Sequence, residues 1–382
     1  MVVVAFAMPI CTPACSWDYS IWTKSKKSDT ALFRFIVRET WGAGYVDRNG
    51  KVIIQPQFFH YGNYGDDDFF DGLAKVRRED GEWFINSKGV PIFATDYIAA
   101  GHFSEGLATF RQNGKVGYID RTGRNVIPAK FGTAEEFSEG LASVRVGDVY
   151  GYIDKTGNYA VPPRLLMADS FSEGFAAVVE SGPCWYTPRG PCSDSKPVLL
   201  SRAGEIGSSR PDANTPRCRF SFIDTTGNRP FAADFAEAKS FSVGLAAVSD
   251  GSRWGYTDRA GNIVVPLTFD NAGAFSDGMA AVLQRDKWGY IDRAGKFVIA
   301  PQFASAMTFS EGLAVVGNGA EYWFIDKSGR QAIDGRYSAA SGFVMGLAHV
   351  RVGSGYYSSK WSYIDRRGHK VFTYSIKSRR EG

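Results

Sequence analysis

From about residue 31 onward, short apolar stretches alternate with turn-forming residues, and no stretch sustains the 3.6-residue apolar period of a helix. The stretches come in three kinds: Leu-Ala-x-Val, then Trp/Tyr-Gly-Tyr-Ile-Asp, then x-Val-Ile-x-Pro-x-Phe. In the second kind an aromatic ring stands two before the Asp in every copy (Tyr45, Phe84, Tyr118, Tyr152, Phe222, Tyr256, Tyr290, Phe324, Tyr363). One residue before the Asp, on the opposite face, is always Val, Ile or Thr. Period-two alternation with both faces apolar predicts β-strands covered on both sides.

These stretches repeat. The Asp falls at 47, 120, 154, 224, 258, 292, 326 and 365, with Asn86 in the same role, and most gaps are 34 residues. The string Phe-Ser-Glu-Gly-Leu-Ala places its glycine at 72, 106, 140, 174, 244, 278, 312 and 346. The single 70-residue gap holds one repeat plus 36 further residues, between Ala177 and Phe220. Asp-x-x-Gly is the composition of a type I turn closing a hairpin, with Asp taking local N–H groups and Gly accepting positive φ. Pro128, Pro162 and Pro266 in the third stretch fit only an edge strand, a strand end or a bulge. An Ala in all eight Leu-Ala copies marks close packing.

Each unit therefore reads as a meander of three short strands. One meander cannot bury its rings alone, so neighbouring units must stack. The fold expected is all-β: nine units over residues 31–376, the first degenerate, stacked as an open solenoid or superhelix, with an N-terminal segment at 1–30, an insertion at about 180–219 and a tail at 377–382. The alternative is a closed β-propeller, whose blades typically have four strands.

Composition agrees with this class. Glycine is 43 of 382 residues and aromatics are 14%. The 44 basic and 40 acidic side chains leave a formal charge of +4, too small to point to nucleic acid or a membrane surface. Residues Met1 to Ile10 are uncharged but too short to span a bilayer, which takes roughly 20 apolar residues. With Thr12-Pro13-Ala14-Cys15 behind them they read as an export signal without its basic start, so a periplasmic or cell-surface location is expected. Three of the five cysteines (Cys184, Cys192, Cys218) fall in the Pro-rich insertion, and Cys184 with Cys192 is the disulfide expected. No histidine accompanies these thiols, so neither a metal nor a cofactor is expected.

The cores Asp286–Arg293 (DKWGYIDR) and Arg253–Arg259 (RWGYTDR), with Phe-Ser-Glu-Gly-Leu-Ala between copies, resemble the bacterial WG-repeat family over roughly residues 31–376. The sequence departs from the motif at Val116-Gly117 and Tyr150-Gly151, and where Trp83, Trp323, Ser221 and Ser362 replace the glycine. The resemblance implies a β-strand repeat protein, often exported, with no catalytic residue in the repeat itself.

The candidate chemistry is sparse. His60, His102, His349 and His369 have no nucleophile or acid at a spacing that suggests catalysis. The acidic column before the second glycine (Asp71, Glu105, Glu139, Glu173, Asp277, Glu311, broken by Val243 and Met345) is either a ladder for a cation or basic partner, or a row of solvated loop tips. Asp66-Asp67-Asp68 lacks the spacing of a calcium loop. The ring two before Asp is architectural, whereas the rings four before it, above all Trp254, Trp288 and Trp361, are the ones expected at the surface for ligand binding. Trp185, Tyr186 and Arg189 in the insertion are the other candidates. The function expected is a non-catalytic scaffold binding a protein or glycan. The alternatives are a propeller-like enzyme with a site near the pore or the insertion, and a secreted effector or its neutralising partner.

Overall fold

The structure, a computed structural model, describes residues 32–37, 42–59, 68–95, 101–180, 218–353 and 360–375. Among these every regular element is a β-strand. The unit at 133–165 shows the plan. Leu141–Val146 and Val149–Asp154 form a tight antiparallel hairpin, and Tyr159–Leu165 pairs on the far side of the second strand. A fourth strand of two residues, Thr133–Ala134, pairs with Leu141–Val146 on its other side. The three-stranded expectation is corrected here. The Phe-Ser-Glu-Gly segment, read as a loop, is the reverse turn by which this short strand enters the next. It was hidden because two paired residues carry no periodicity.

That turn forms because Glu and Gly both take positive φ: Glu139 is at 55° and Gly140 at 82°, with reciprocal bonds between Ser138 and Leu141. Two left-handed residues between two bonded ones is the type I′ arrangement that matches strand twist. The same turn is built eight times, with Asp71, Glu105, Glu173, Val243, Asp277, Glu311 and Met345 at the first left-handed position.

The Trp-Gly glycine has a different reason. A Cβ on Gly117, Gly151, Gly255 or Gly289 would lie 2.4–2.6 Å from a carbonyl oxygen of the neighbouring outer strand. The outer strand bulges over the glycine there, skipping pairing between Tyr290↔Ile299 and Trp288↔Phe303, for example. The prolines sit in this bulge, at an edge. Where Ser362 or Trp83 replaces the glycine, the outer strand pairs residue by residue, Ser362↔Thr373 and Trp83↔Ala94, and has no such bulge over that position.

The strands form eight sheets. The first has six strands and carries two repeat units, joined where Phe59 pairs with Arg77. The core lies between units: one cluster takes Leu245, Tyr256, Val265 and Phe269 from one and Phe275, Ala280, Val282 and Ile291 from the next. At the junctions the Asp-x-x-Gly glycine packs on the segment after the turn of the unit before, as Gly157 does on Ile127 and Gly295 on Val265.

The chain closes on itself. Gly50 of the first unit packs against Val371 of the last, repeating that junction contact. Tyr363 donates its hydroxyl to the Arg34 carbonyl at 2.6 Å, and Phe35 meets the ring of Phe372 at 4.8 Å. Phe35 and Val46 share a buried cluster with Leu347 and Tyr363. The repeat units are thus the blades of a closed β-propeller, and the open solenoid is corrected to the ring that stood as its alternative. A left-over apolar edge at each end of a stack is removed when the ends meet.

Candidate binding face

Register puts two kinds of turn at one end of every blade. Leu141 pairs with Asp154, so the Glu-Gly turn before Leu141 and the Asp-x-x-Gly turn after Asp154 lie together, while Val146 and Val149 mark the opposite end. The Asp column is consumed by its own turn. Asp154 Oδ1 accepts the N–H groups of Thr156 and Asn158 and the Thr156 hydroxyl. The hydrogen bond from Thr156, with the backbone N–H groups, holds this exposed carboxyl below its ordinary range.

The acidic column is engaged from turn to turn. Glu105 accepts the N–H groups of Glu139 and Gly140 in the next turn at 2.7 and 3.0 Å. Glu139 does the same for Glu173 and Gly174, and Glu173 for Val243 and Gly244. Asp71, Asp277 and Glu311 reach the glycine N–H of the following turn. Two successive left-handed residues point both N–H groups one way and make a small concavity for an anion. A second chain of bonds runs alongside, from Ser138 Oγ to the Phe171 carbonyl and onward from unit to unit.

Basic side chains lie over this ring. The residue after the repeat Asp reaches the turn of the unit before: Lys155 pairs with Glu105 at 3.0 Å and Arg259 with Glu173 at 2.8 Å. Burial opposes ionisation of Glu105, but Lys155 and the two N–H groups outweigh it and hold the carboxyl below its usual range. Position Asp+1 is basic at 48, 121, 155, 259, 293, 327 and 366, a column legible in the sequence but silent until register showed what it covers. In the link between Thr133–Ala134 and the Glu139-Gly140 turn, Glu136 is pushed up to about 7 by burial and by the charges of Glu135 and Asp71.

The expected ligand-binding rings fare differently. Trp288 is 3% exposed and belongs to an inter-unit core, and Trp361 is 8% exposed beneath His349. Neither stands at the surface: Trp288 lies at the junction with the next unit, and Trp361 is covered by His349 and Arg351 of its own unit. Trp254 is half-buried, with the Lys239 ammonium 5.0 Å from its ring centre. Trp185, Tyr186, Arg189, Cys184 and Cys192 lie outside the described residues, as do His60, Asp66 and Asp67. Cys218 packs beside its unit's core and is disulfide-bonded. The strand ends that flank the insertion, Val179 and Ser221, lie at the end of the blade opposite the Glu-Gly turns.

The described histidines are engaged structurally. His102 packs tilted against the Phe70 ring, His369 faces Asp365 within its turn, and His349 is stacked with Trp361 and Tyr363 while its Nε2 meets Tyr374 Oη at 2.8 Å. Burial, then the nearby Arg34 charge, push His349 down to about 3. Among the described residues no group of three or more His, Cys, Asp or Glu side chains could hold a metal, and no helix is long and apolar enough to cross a membrane.

Fold and turn face together define a closed propeller of WG-type units. The family model for the WG-containing repeat matches residues 44–83, 84–115, 117–150, 150–182, 254–288, 288–322 and 324–356, and the chain belongs to that family. No curated protein sequence is significantly similar to it. Its fold is similar to that in a crystal structure of a eukaryotic initiation factor, at 11% identity over 92% of this chain and 97% of that one, with a TM-score of 0.59. More distant are the dihydro-heme d1 dehydrogenase NirN (11% identity, 92% and 75% covered, TM-score 0.42) and dipeptidyl peptidase 4 of Porphyromonas gingivalis (8%, 94% and 61%, TM-score 0.44). The first likeness is one of fold and says nothing of activity.

Proposed function

We propose that this propeller is a non-catalytic scaffold that binds a protein or glycan partner and works outside the cytoplasm. One observation carries the reading. The carboxylates, serine hydroxyls and tyrosine hydroxyls that recur in the units are spent on contacts from one unit to the next, as Tyr290 Oη to the Met307 carbonyl and Glu139 to the Glu173 turn are. What is left for recognition is the 180–219 insertion, which one unit alone carries, and the basic side chains over the turn face that have no carboxylate of their own to cover. The apolar start at residues 1–10 and the cysteines of the insertion support export.

The test is affinity capture from an envelope extract, with a glycan array alongside, comparing the intact chain with one lacking Gly182 to Arg217. A partner retained by the first and lost by the second places recognition in the insertion. Turnover of a substrate by the purified chain would overturn the non-catalytic reading.

A further inference from the structure

Seven junctions between consecutive Glu-Gly-type turns lie within the described residues. In six of them the earlier turn supplies a carboxylate to the later turn's N–H groups. The seventh runs from Val243 to Asp277-Gly278, and valine has nothing to give. The Asp277-Gly278 turn is otherwise the same, with φ of 52° and 86° against 55° and 82° at Glu139-Gly140. Neither of its N–H groups has an acceptor among the described residues. Gly278 is also the one exposed glycine of the set, where Gly106, Gly140, Gly174, Gly244, Gly312 and Gly346 are half-buried.

The basic half of the site is in place as well. Arg293 follows Asp292 as Arg259 follows Asp258, and its Nη2 lies 3.5 Å from where a Cβ on Gly244 would sit. It therefore hangs over the Val243-Gly244 turn as Arg259 does over Glu173-Gly174. Among the described residues it has no anionic partner. Val243 is itself an oddity: a β-branched residue held left-handed at φ 54° and 43% exposed. A non-glycine residue of that shape is costly there, and such outliers cluster at functional positions.

We propose that the N–H groups of Asp277 and Gly278, with the Arg293 guanidinium, form a binding site for a carboxylate brought by a ligand. The occupied junctions show what fits: at Glu173, one carboxylate takes two N–H groups at 2.6 and 2.8 Å and an arginine at 2.8 Å. The carboxylate of a small acid and that of a peptide C-terminus present the same oxygens. This deepens the scaffold reading by giving the turn face a ligand chemistry, and it rests on that reading only for its use in the cell.

The test is an NMR titration of the intact chain, following the amide of Gly278 with that of Gly140, already capped by Glu105, as internal reference. Probes are acetate, acetyl-Gly-Gly with a free C-terminus and its C-terminal amide, with chloride at matched ionic strength as blank. Acetate and the free-acid peptide are expected to shift Gly278 saturably, with dissociation constants on the order of 10 mM for so small a contact. Acetate alone doing so identifies a small-acid site, and the peptide binding more tightly identifies a chain terminus. Arg293→Gln is expected to weaken binding about three- to fivefold. Val243→Glu, which supplies the missing internal carboxylate, abolishes it. No saturable shift at Gly278, an equal shift at Gly140, or an unchanged response in Val243→Glu would overturn the site. Partner capture is unaffected by any of these results, so the two readings fail separately.

Discussion

Glu173 is where the capping chain can be weighed. Its Oε1 accepts the Val243 N–H, and its Oε2 accepts both the Gly244 N–H and Arg259. Glu173→Gln keeps one accepting oxygen and replaces the other with an amide NH2, which cannot accept; at least one N–H loses its acceptor and the arginine loses its charged partner. A hydrogen bond to a charged group contributes about 1.5–3 kcal/mol and a partly exposed ion pair under about 1 kcal/mol. With water able to replace part of this at an open edge, the substitution is expected to cost about 1–2 kcal/mol at pH 7, and Glu173→Ala about 2–3 kcal/mol. The sign with pH follows. Burial opposes ionisation of Glu173, but Arg259 and the two N–H groups outweigh it and place the folded pKa below the ordinary 4.5. The unfolded chain then takes up the proton first as pH falls, so the contribution is full above the ordinary value and is lost on descending through the folded one. Urea midpoints of wild type and Glu173→Gln, read by tryptophan fluorescence, should differ by a constant amount from neutral pH down to about 5 and converge below about 4.5. Equal midpoints at pH 7, or a gap that persists unchanged in acid, would refute the capping account.

Tyr290→Phe removes the donor to the Met307 carbonyl, 2.7 Å away and buried, and should lower stability by about 1–2 kcal/mol in the same assay. Gly289→Ala drives a Cβ to 2.6 Å from the Ile299 carbonyl and 2.8 Å from Pro301 N, and a loss of about 1–3 kcal/mol is expected in a thermal melt, whereas Ser362→Ala, under an outer strand without the bulge, should cost only its hydrogen bond with Thr373, about 1 kcal/mol. His349 is held at about 3, so below the ordinary histidine value of 6.5 the unfolded chain binds a proton that the folded one refuses. Stability should therefore decline with acid from about pH 6.5, before Glu173 contributes, and His349→Phe should flatten that slope. Deleting residues through Val37 removes Phe35 from Phe372 and Tyr374 and should open the ring, read as new dye-binding apolar surface and a lowered melting temperature.

The sequence alone determined the three longer strands of each unit, the 34-residue unit and the packing role of the rings two before Asp, because alternation, turn chemistry and recurrence are local and each is repeated many times; the two-residue strand was too short to show. Tyr118, Tyr152, Tyr256 and Tyr290 are fully buried as their column required. It also sufficed to place the chain among WG-containing repeats. What it left open was everything set by one unit meeting another. Three-stranded meanders stack as readily in a line as in a ring, and the choice turned on contacts between Phe35, Tyr363 and Phe372, some 330 residues apart, which no periodicity encodes. The burial of Trp288 followed from the same geometry, since the unit that covers it lies outside the local pattern. So did the fate of the acidic column. Read along the chain, Glu105, Glu139 and Glu173 look like charges at loop tips; only the approach of consecutive turns converts each into the anion its neighbour's backbone binds, and makes Val243 a gap instead of a variation.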